Sequence, residues 1–170
     1  MSKIGYAVTL IETLVKRSAQ LAALLVVLLS ALIVYDAVNR YLFQSGSVAL
    51  QELEWHLFDI IFLLGLSYTL QHDKHVRVDI FYTRFSPRTK ALINIVSQLF
   101  LVLPFTALIL YMSYTFIEQS YLQNEISSDP GGLTHRWMIK GVIAVGFVLL
   151  GLQSLCEIYK NVQIFKRHTV

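Results

Sequence analysis

Four long apolar stretches constrain the fold of this sequence more than any other feature. Residues 18–35, 91–117 and 141–156 contain no charged side chain, and residues 55–71 are apolar apart from His56 and Asp59. A continuous apolar run of about 20 residues is what an α-helix needs to cross the hydrocarbon core of a membrane. We therefore expect an all-α membrane protein with four transmembrane helices, over about residues 18–38, 53–72, 88–117 and 136–158.

Little of the 170-residue chain remains outside these spans, so we expect a single membrane domain over residues 1–170. The single cysteine, Cys156, excludes an intrachain disulfide and a cysteine-based metal cluster. The sequence also lacks the Gly-x-Ser-x-Gly, His-Glu-x-x-His and phosphate-loop motifs of common enzymes. We expect no catalytic residue, no cofactor site and no metal site in this chain.

The distribution of Lys and Arg indicates the orientation of the spans. If both termini are cytoplasmic, eleven of the 14 Lys and Arg residues lie on the inner side of the membrane. The outer side then holds only Arg40, Arg136 and Lys140. Cytoplasmic segments are enriched in Lys and Arg, so we expect cytoplasmic N and C termini. In a membrane protein with this distribution, the net charge of +3 reflects the excess of Lys and Arg in cytoplasmic segments. Nucleic acid is therefore not an expected partner.

The segment before the first span is amphipathic. Its apolar residues recur at helical spacing, opposite Lys3, Glu12 and Lys16. These apolar residues are Ile4, Val8, Ile11 and Val15. The pattern fits a helix lying on the membrane surface, and it fits a cytoplasmic extension of the first span equally well.

The third span has its own start and break signals. Ser86 and Pro87 predict a helix N-cap followed by proline at the first helical position. Pro104 lacks a backbone donor and predicts a kink within the span. Several polar side chains lie in the apolar stretches, and we expect them to form hydrogen bonds between helices. These residues are Asn94, Ser97, Gln98 and Gln153.

Ionisable residues cluster at the outer end of the second span. Glu52, His56 and Asp59 are spaced i, i+4 and i+7, so they share one helix face, which we call the polar stripe. Ionisable residues inside a span are candidates for a functional site. Trp55 marks the interfacial belt, so the stripe is either wetted by lipid headgroups or paired with a neighbouring helix or subunit. Its partners within the chain would be Asp36 and Arg40.

Short motifs follow one another in a characteristic order across nearly the whole chain. They are Asn39-Arg40-Tyr41, Gln51-Glu52-Leu53-Glu54-Trp55-His56-Leu57-Phe58, Phe62-Leu63-Leu64-Gly65, His75-Val76-Arg77-Val78-Asp79, Ser86-Pro87-Arg88, Asp129-Pro130-Gly131-Gly132-Leu133 and Arg136-Trp137. On a chain with four spans, this order resembles the small membrane subunit, of DctQ type, of tripartite ATP-independent periplasmic (TRAP) transporters. The Glu-Trp-His-Leu and Gly-Gly-Leu variants are most similar to the small subunits of sialic-acid systems.

The resemblance implies a subunit of a secondary active transporter in the bacterial inner membrane. In such systems a periplasmic binding protein delivers an organic acid to two membrane subunits. The large membrane subunit holds the substrate and sodium sites and works as an elevator. The small subunit forms a heterodimer with it, extends its static scaffold and contacts membrane lipids. The implied function is sodium-coupled uptake of an organic acid, with sialic acid (N-acetylneuraminate) as the substrate.

On the basis of the resemblance we assign two interaction sites. We assign the interface with the large subunit to Arg40, Glu52, His56, Asp59, His75, Arg77 and Asp79. We assign docking of the binding protein to the loop between the third and fourth spans, through Glu125, Asp129, Gly131, Gly132 and Arg136. The alternative for this loop is a turn without a further role, which its Pro-Gly sequence would explain unaided.

Two other functions fit the same four spans. A self-contained oligomeric channel or small exporter would arrange Asp59 from several copies around a shared pore, and it would be active without a partner. An assembly or anchoring protein of another membrane complex would have a partner but no role in solute uptake.

Overall fold

The computed structural model describes residues 3–72, 82 and 85–167, and every regular element among them is helical. The elements are α1 (Lys3–Leu42), α2 (Val48–Gln71), α3 (Pro87–Ser97), a π-helical turn (Gln98–Val102), α4 (Leu103–Leu122) and α5 (Trp137–Arg167). Together, α3, the π-helical turn and α4 form one continuous third span, Pro87–Leu122. This span and the other three long helices have the length and apolar composition to cross a membrane, which confirms the expected all-α fold class.

The N-terminal amphipathic segment is part of α1. The segment is therefore a helical extension of the first span and not a separate surface helix. The 40 residues of α1 extend about 60 Å, twice the thickness of a hydrocarbon core of about 30 Å. At the end of the bundle that carries both termini, Lys160 Nζ of α5 lies 2.9 Å from Glu12 Oε1. The Gln71 side-chain amide of α2 donates to the Glu12 carbonyl at 3.4 Å. The extension is thus attached to two other helices.

The start of the third span agrees with its sequence signals. The Ser86 hydroxyl accepts a hydrogen bond from the Thr89 amide at 3.2 Å, and Pro87 occupies the first helical turn. Pro104 was expected to kink the span, and the irregularity that the structure has there is the π-helical turn just before it. There the Leu103 amide donates to the carbonyl of Gln98, five residues back. The wider turn accommodates the proline without ending the helix.

Helix α5 is the centre of the bundle. It packs against α1, against α2 and along the whole third span, whereas α1 packs mainly on α2. The close contact with α2 depends on Gly146, because a Cβ there would come within 3.0 Å of the Leu63 carbonyl oxygen. Two fully buried polar residues, Gln153 and Ser154, also belong to α5. Between α2 and the third span, an apolar groove of about 1120 Å³ is floored by α5.

Two of the four polar residues expected to link helices, Asn94 and Gln98, do so. The Ser154 hydroxyl donates to Gln98 Oε1 at 2.7 Å, and the Asn94 side-chain amide donates to Asn161 Oδ1 at 3.1 Å. Both bonds join α5 to the third span. Gln153 instead donates to Glu157 Oε1 at 2.9 Å within α5. These hydrogen bonds serve helix packing, whereas the Thr106 hydroxyl and Gln153 Oε1 are buried without a hydrogen-bond partner among the described residues.

A double-mutant cycle on Gln98 and Ser154 tests the value of this buried contact. Both side chains are almost inaccessible, so Ser154→Ala leaves Gln98 Oε1 without its partner. We expect a coupling energy of about 0.5 to 1.5 kcal/mol between Ser154→Ala and Gln98→Leu. The measurement is unfolding in mixed micelles at rising dodecyl sulfate fraction, followed by circular dichroism.

The matched control is Ser30→Ala. The Ser30 hydroxyl bonds the Val26 carbonyl of its own helix on an exposed face, so this variant should leave stability nearly unchanged. A coupling energy of zero between Gln98 and Ser154 would contradict the assigned role of their hydrogen bond.

Candidate functional site

The loop of residues 123–136, between α4 and α5, is closed by its own backbone hydrogen bonds. The Arg136 amide donates to the Glu125 carbonyl at 3.2 Å, and the Ser127 amide donates to the Leu133 carbonyl at 3.0 Å. At the tip, Gly131 has a φ of +83°, a left-handed conformation that glycine adopts without steric cost. We call residues 123–136 the outer loop. It is a folded unit with a defined tip.

Glu52 of α2 attaches the outer loop to the helix bundle. Its carboxylate accepts a hydrogen bond from the Ser127 hydroxyl and another from the Leu133 amide, the latter at 2.6 Å. The Arg136 guanidinium lies 3.8 Å from the same carboxylate, between Nη1 and Oε1. Hydrogen bonds to a charged carboxylate are among the stronger ones in proteins. One side chain of α2 therefore contacts both arms of the loop, at Ser127 and Leu133, and its C-terminal end at Arg136.

A second carboxylate secures the ends of the outer loop. Glu125 bonds the Lys140 ammonium of α5, and Arg136 Nε lies 3.6 Å from Glu125 Oε1. The Lys140 hydrogen bond, with the positive charges of Lys140 and Arg136, lowers the pKa of Glu125 below its usual value. Lys140 also lies over the Phe116 ring, 3.8 Å from its centroid. Arg136 thus stands between the two carboxylates and links both anchors.

Gly132 allows the loop to lie this close to α2. A Cβ at this position would come 2.5 Å from the Ser127 Cβ and 2.8 Å from Glu52 Oε2. No side chain fits at such distances without displacing the loop or the carboxylate. Gly131 and Gly132 therefore have different reasons for being glycine, one conformational and one steric.

The polar stripe and the outer loop enclose a polar cleft of about 430 Å³. Its α2 wall includes Glu52, His56 and Asp59, so the stripe does share one face as expected. Asp129 and Arg136 line the opposite wall. The carboxylates of Asp59 and Asp129 have no ion-pair partner among the described residues. The cleft therefore presents free negative charge to whatever adjoins it.

Arg40 is not the partner of the polar stripe. It forms an ion pair with Asp36, one turn earlier in α1, and Asp36 is buried to 2% exposure. The expected pairing of the stripe with Asp36 and Arg40 is therefore wrong, and Arg136 takes that place. The i, i+4 spacing in one helix makes the Asp36–Arg40 pair available without any contact from α2.

The remaining predicted interface residues, His75, Arg77 and Asp79, lie outside the described residues. Within the described part, no group of three His, Cys, Asp or Glu side chains is arranged to hold a metal ion. Three groups at the site were not anticipated: the Ser127 hydroxyl, the Leu133 amide and the Lys140 ammonium. No spacing rule signals them, because Ser127 and Glu52 are 75 residues apart in sequence.

Gly132→Ala should displace the outer loop. The added Cβ cannot be placed without moving Ser127 or Glu52, so we expect a loss of about 1 to 3 kcal/mol in stability. Gly46→Ala is the matched control, since a Cβ there meets no atom within 4 Å. Dodecyl sulfate unfolding measures both variants. Equal stabilities for the two would contradict the close contact between the loop and α2.

The docked loop should loosen in acid. Because the docked state lowers the pKa of Glu125, it binds fewer protons than the undocked state, and its stability rises with pH. The contribution is complete above the ordinary value near 4.5 and is lost as the pH falls through the lowered pKa. A spin label at Ile126→Cys, in a Cys156→Ala background, should become mobile as the pH falls below the ordinary carboxyl value near 4.5.

The exposed Glu118 provides the control for this acid response. Glu125→Gln should make the label mobile already at neutral pH and weaken its pH dependence, whereas Glu118→Gln should change neither. If the Glu125→Gln protein shows the wild-type pH response, Glu125 is not the group responsible.

Comparison with known proteins places this architecture in a family. Residues 29–164 match the family described as tripartite ATP-independent periplasmic transporters, DctQ component. Over 131 residues, the chain is 26% identical to a provisionally named TRAP transporter small permease protein of Haemophilus influenzae. That match covers 72% of this chain and 76% of the relative. The family match includes the polar stripe, the outer loop and most of α5. This four-span chain therefore belongs to the DctQ component family of TRAP transporters, a family of transporter components rather than enzymes.

Proposed function

We propose that this chain is the scaffold subunit of a TRAP transporter in the bacterial inner membrane, where it forms a heterodimer with a large elevator-type subunit. Both termini are cytoplasmic in this proposal, because that orientation places most Lys and Arg residues inside. The large subunit carries the substrate and sodium sites, and a periplasmic binding protein supplies the substrate. The chain itself does not transport.

The continuity of the spans supports a scaffold role. Transporters of this kind bind substrate near the bilayer midplane, where broken helices expose backbone groups. Within the described residues, the spans of this chain are helical throughout, and the π-helical turn is the irregular part. The Gln98 side chain at this turn is engaged by Ser154 of α5. Polar groups engaged in helix packing do not bind an anion and its coupling ions.

The polar cleft is the part of the proposed interface that the described residues support best. Asp59 and Asp129 line it without a cationic partner among the described residues. A Lys or Arg side chain of the large subunit would pair with the Asp59 carboxylate, while Asp129 belongs to the outer loop. Glu52, by contrast, acts from within the chain, since its carboxylate is occupied by the outer loop. His75, Arg77 and Asp79 remain predicted interface residues.

The outer loop is the proposed docking site for the binding protein. Its exposed tip around Asp129 and Gly131 faces the periplasm in the proposed orientation, and its two carboxylate anchors keep it in one arrangement. A preorganised loop loses little conformational freedom when a partner binds. The alternative, a turn without a docking role, has the same fold but predicts no effect of Asp129 on uptake.

The proposed substrate is an organic acid, with sialic acid as the compound to assay first. This proposal rests on the similarity of the Glu-Trp-His-Leu and Pro-Gly-Gly-Leu motifs to those of sialic-acid systems. Specificity itself would belong to the binding protein and the large subunit.

Co-purification tests the proposed function. The chain, tagged at its C-terminus and expressed at native level, is solubilised mildly, and its partners are identified by mass spectrometry. A stoichiometric permease with many spans is the expected result. Asp59→Ala should lower recovery of that permease and sialic-acid uptake together, by about tenfold, because loss of one member of a desolvated ion pair costs a few kcal/mol.

Two further variants separate the roles in the same assay. Asp129→Ala should reduce uptake that depends on the binding protein, and Glu118→Ala, at an exposed acid outside the cleft, should change neither readout. Recovery of the wild-type chain only as a homo-oligomer would exclude the subunit role and favour the self-contained channel. A permease partner without any uptake would favour the assembly protein.

A further inference from the structure

Helix α1 carries a row of exposed leucines about a third of a turn away from its buried face. Val15 and Ala22, on the buried face, are inaccessible or nearly so, whereas the leucines of this row are 50 to 58% exposed. The row consists of Leu10, Leu14, Leu21, Leu24 and Leu28, with Arg17 among them. We call these six residues the leucine face. The six positions alternate in steps of four and three residues, which is the seam pattern of paired helices.

Charged residues of α5 mark where the hydrocarbon begins and ends. Lys140 and Lys160 are 20 residues apart, a distance of about 30 Å along a helix, and the residues between 141 and 156 are uncharged. The ion pair of Glu12 with Lys160 then places Glu12 at the inner boundary. Residues before Glu12 lie at or beyond that boundary, while Arg17 lies about 7 Å towards the hydrocarbon.

Lipid tails therefore do not cover the inner end of this face. Tyr6 and Leu10 are 61% and 52% exposed, and they lie on the headgroup side of Glu12. Arg17 has no ion-pair partner among the described residues, although it lies where an unpaired charge is costly. Beside it, a groove of about 550 Å³ runs between Leu10, Leu14, Arg17 and Leu21. Among the described residues, Arg17 therefore has no ion-pair partner, and the leucines beside it remain half exposed.

We propose that the leucine face docks a helix of the large subunit, whose apolar side packs against the leucines and whose Asp or Glu pairs with Arg17. This inference rests on the proposed function, which supplies the partner. A carboxylate is required opposite Arg17 because it neutralises the only charge in the seam. A second parallel copy of this chain fits less well, since it would bring two Arg17 side chains to the same level.

Photo-crosslinking identifies what covers the leucine face. The complex is purified with p-benzoylphenylalanine in place of Leu14. The control positions are Thr9 and Lys16, which are exposed and lie nearly half a turn around the helix from Leu14. The large subunit should crosslink to position 14, with at least about tenfold lower yield from the control positions. Crosslinks from position 14 to a second copy, or to lipid alone, overturn the proposal.

Charge reversal tests the role of Arg17 with a matched neighbour. Arg17→Glu should reduce recovery of the large subunit by about tenfold, because it places a carboxylate against a carboxylate. Arg17→Lys should restore most of the recovery. Lys16→Glu makes the same change in net charge on another side of α1 and should have little effect. Equal effects of Arg17→Glu and Lys16→Glu would overturn the proposal.

These outcomes are distinguishable from failure of the proposed function. If the wild-type chain recovers no large subunit, the scaffold role fails before any variant is compared. If the large subunit co-purifies but does not crosslink from position 14, the scaffold role stands and the leucine face is not its docking surface.

Discussion

The hydrocarbon core of a membrane offers no hydrogen-bond partner, so each polar group inside it must find one within the protein. The four helices satisfy their backbones in this way, and several buried side chains do the same. Gln98 meets Ser154, and Asn94 meets Asn161, so the third span is held against α5 by hydrogen bonds as well as by shape. Glycines of α5 allow close packing: Gly151 lies against Thr106 of the third span, and Gly146 lies against Leu63 of α2.

The two ends of the bundle are held together by charged groups, because these groups lie near water and headgroups there. At the outer end, Glu52 and Glu125 hold a folded loop against α2 and α5. At the inner end, Lys160 bonds Glu12 and Glu157 and draws the long extension of α1 to the end of α5. Each end is therefore fixed by carboxylate and ammonium or guanidinium pairs, and the apolar middle is left to pack against helices and lipid.

This division of labour suits a scaffold. Among the described residues, ion pairs and hydrogen bonds join helix to helix, while the polar cleft and the leucine face hold charged side chains that have no ion-pair partner there. The polar cleft presents the carboxylates of Asp59 and Asp129, and the leucine face presents Arg17 among half-exposed leucines. At both surfaces the proposed partners would supply the opposite charge.

Local patterns in the sequence determined the elements. Four apolar stretches defined the spans, Ser86-Pro87 marked the start of the third, Pro104 marked its irregularity, and the i, i+4, i+7 spacing placed the polar stripe on one face. These features depend on neighbours within a turn or two of helix. The tertiary structure decided which distant groups meet. In the folded chain Glu52 pairs with Arg136 and not with Arg40, and Gln153 bonds Glu157 within α5. The N-terminal segment continues into the first span as one helix, α1. Such choices depend on how helices far apart in sequence are stacked, and no local spacing encodes that.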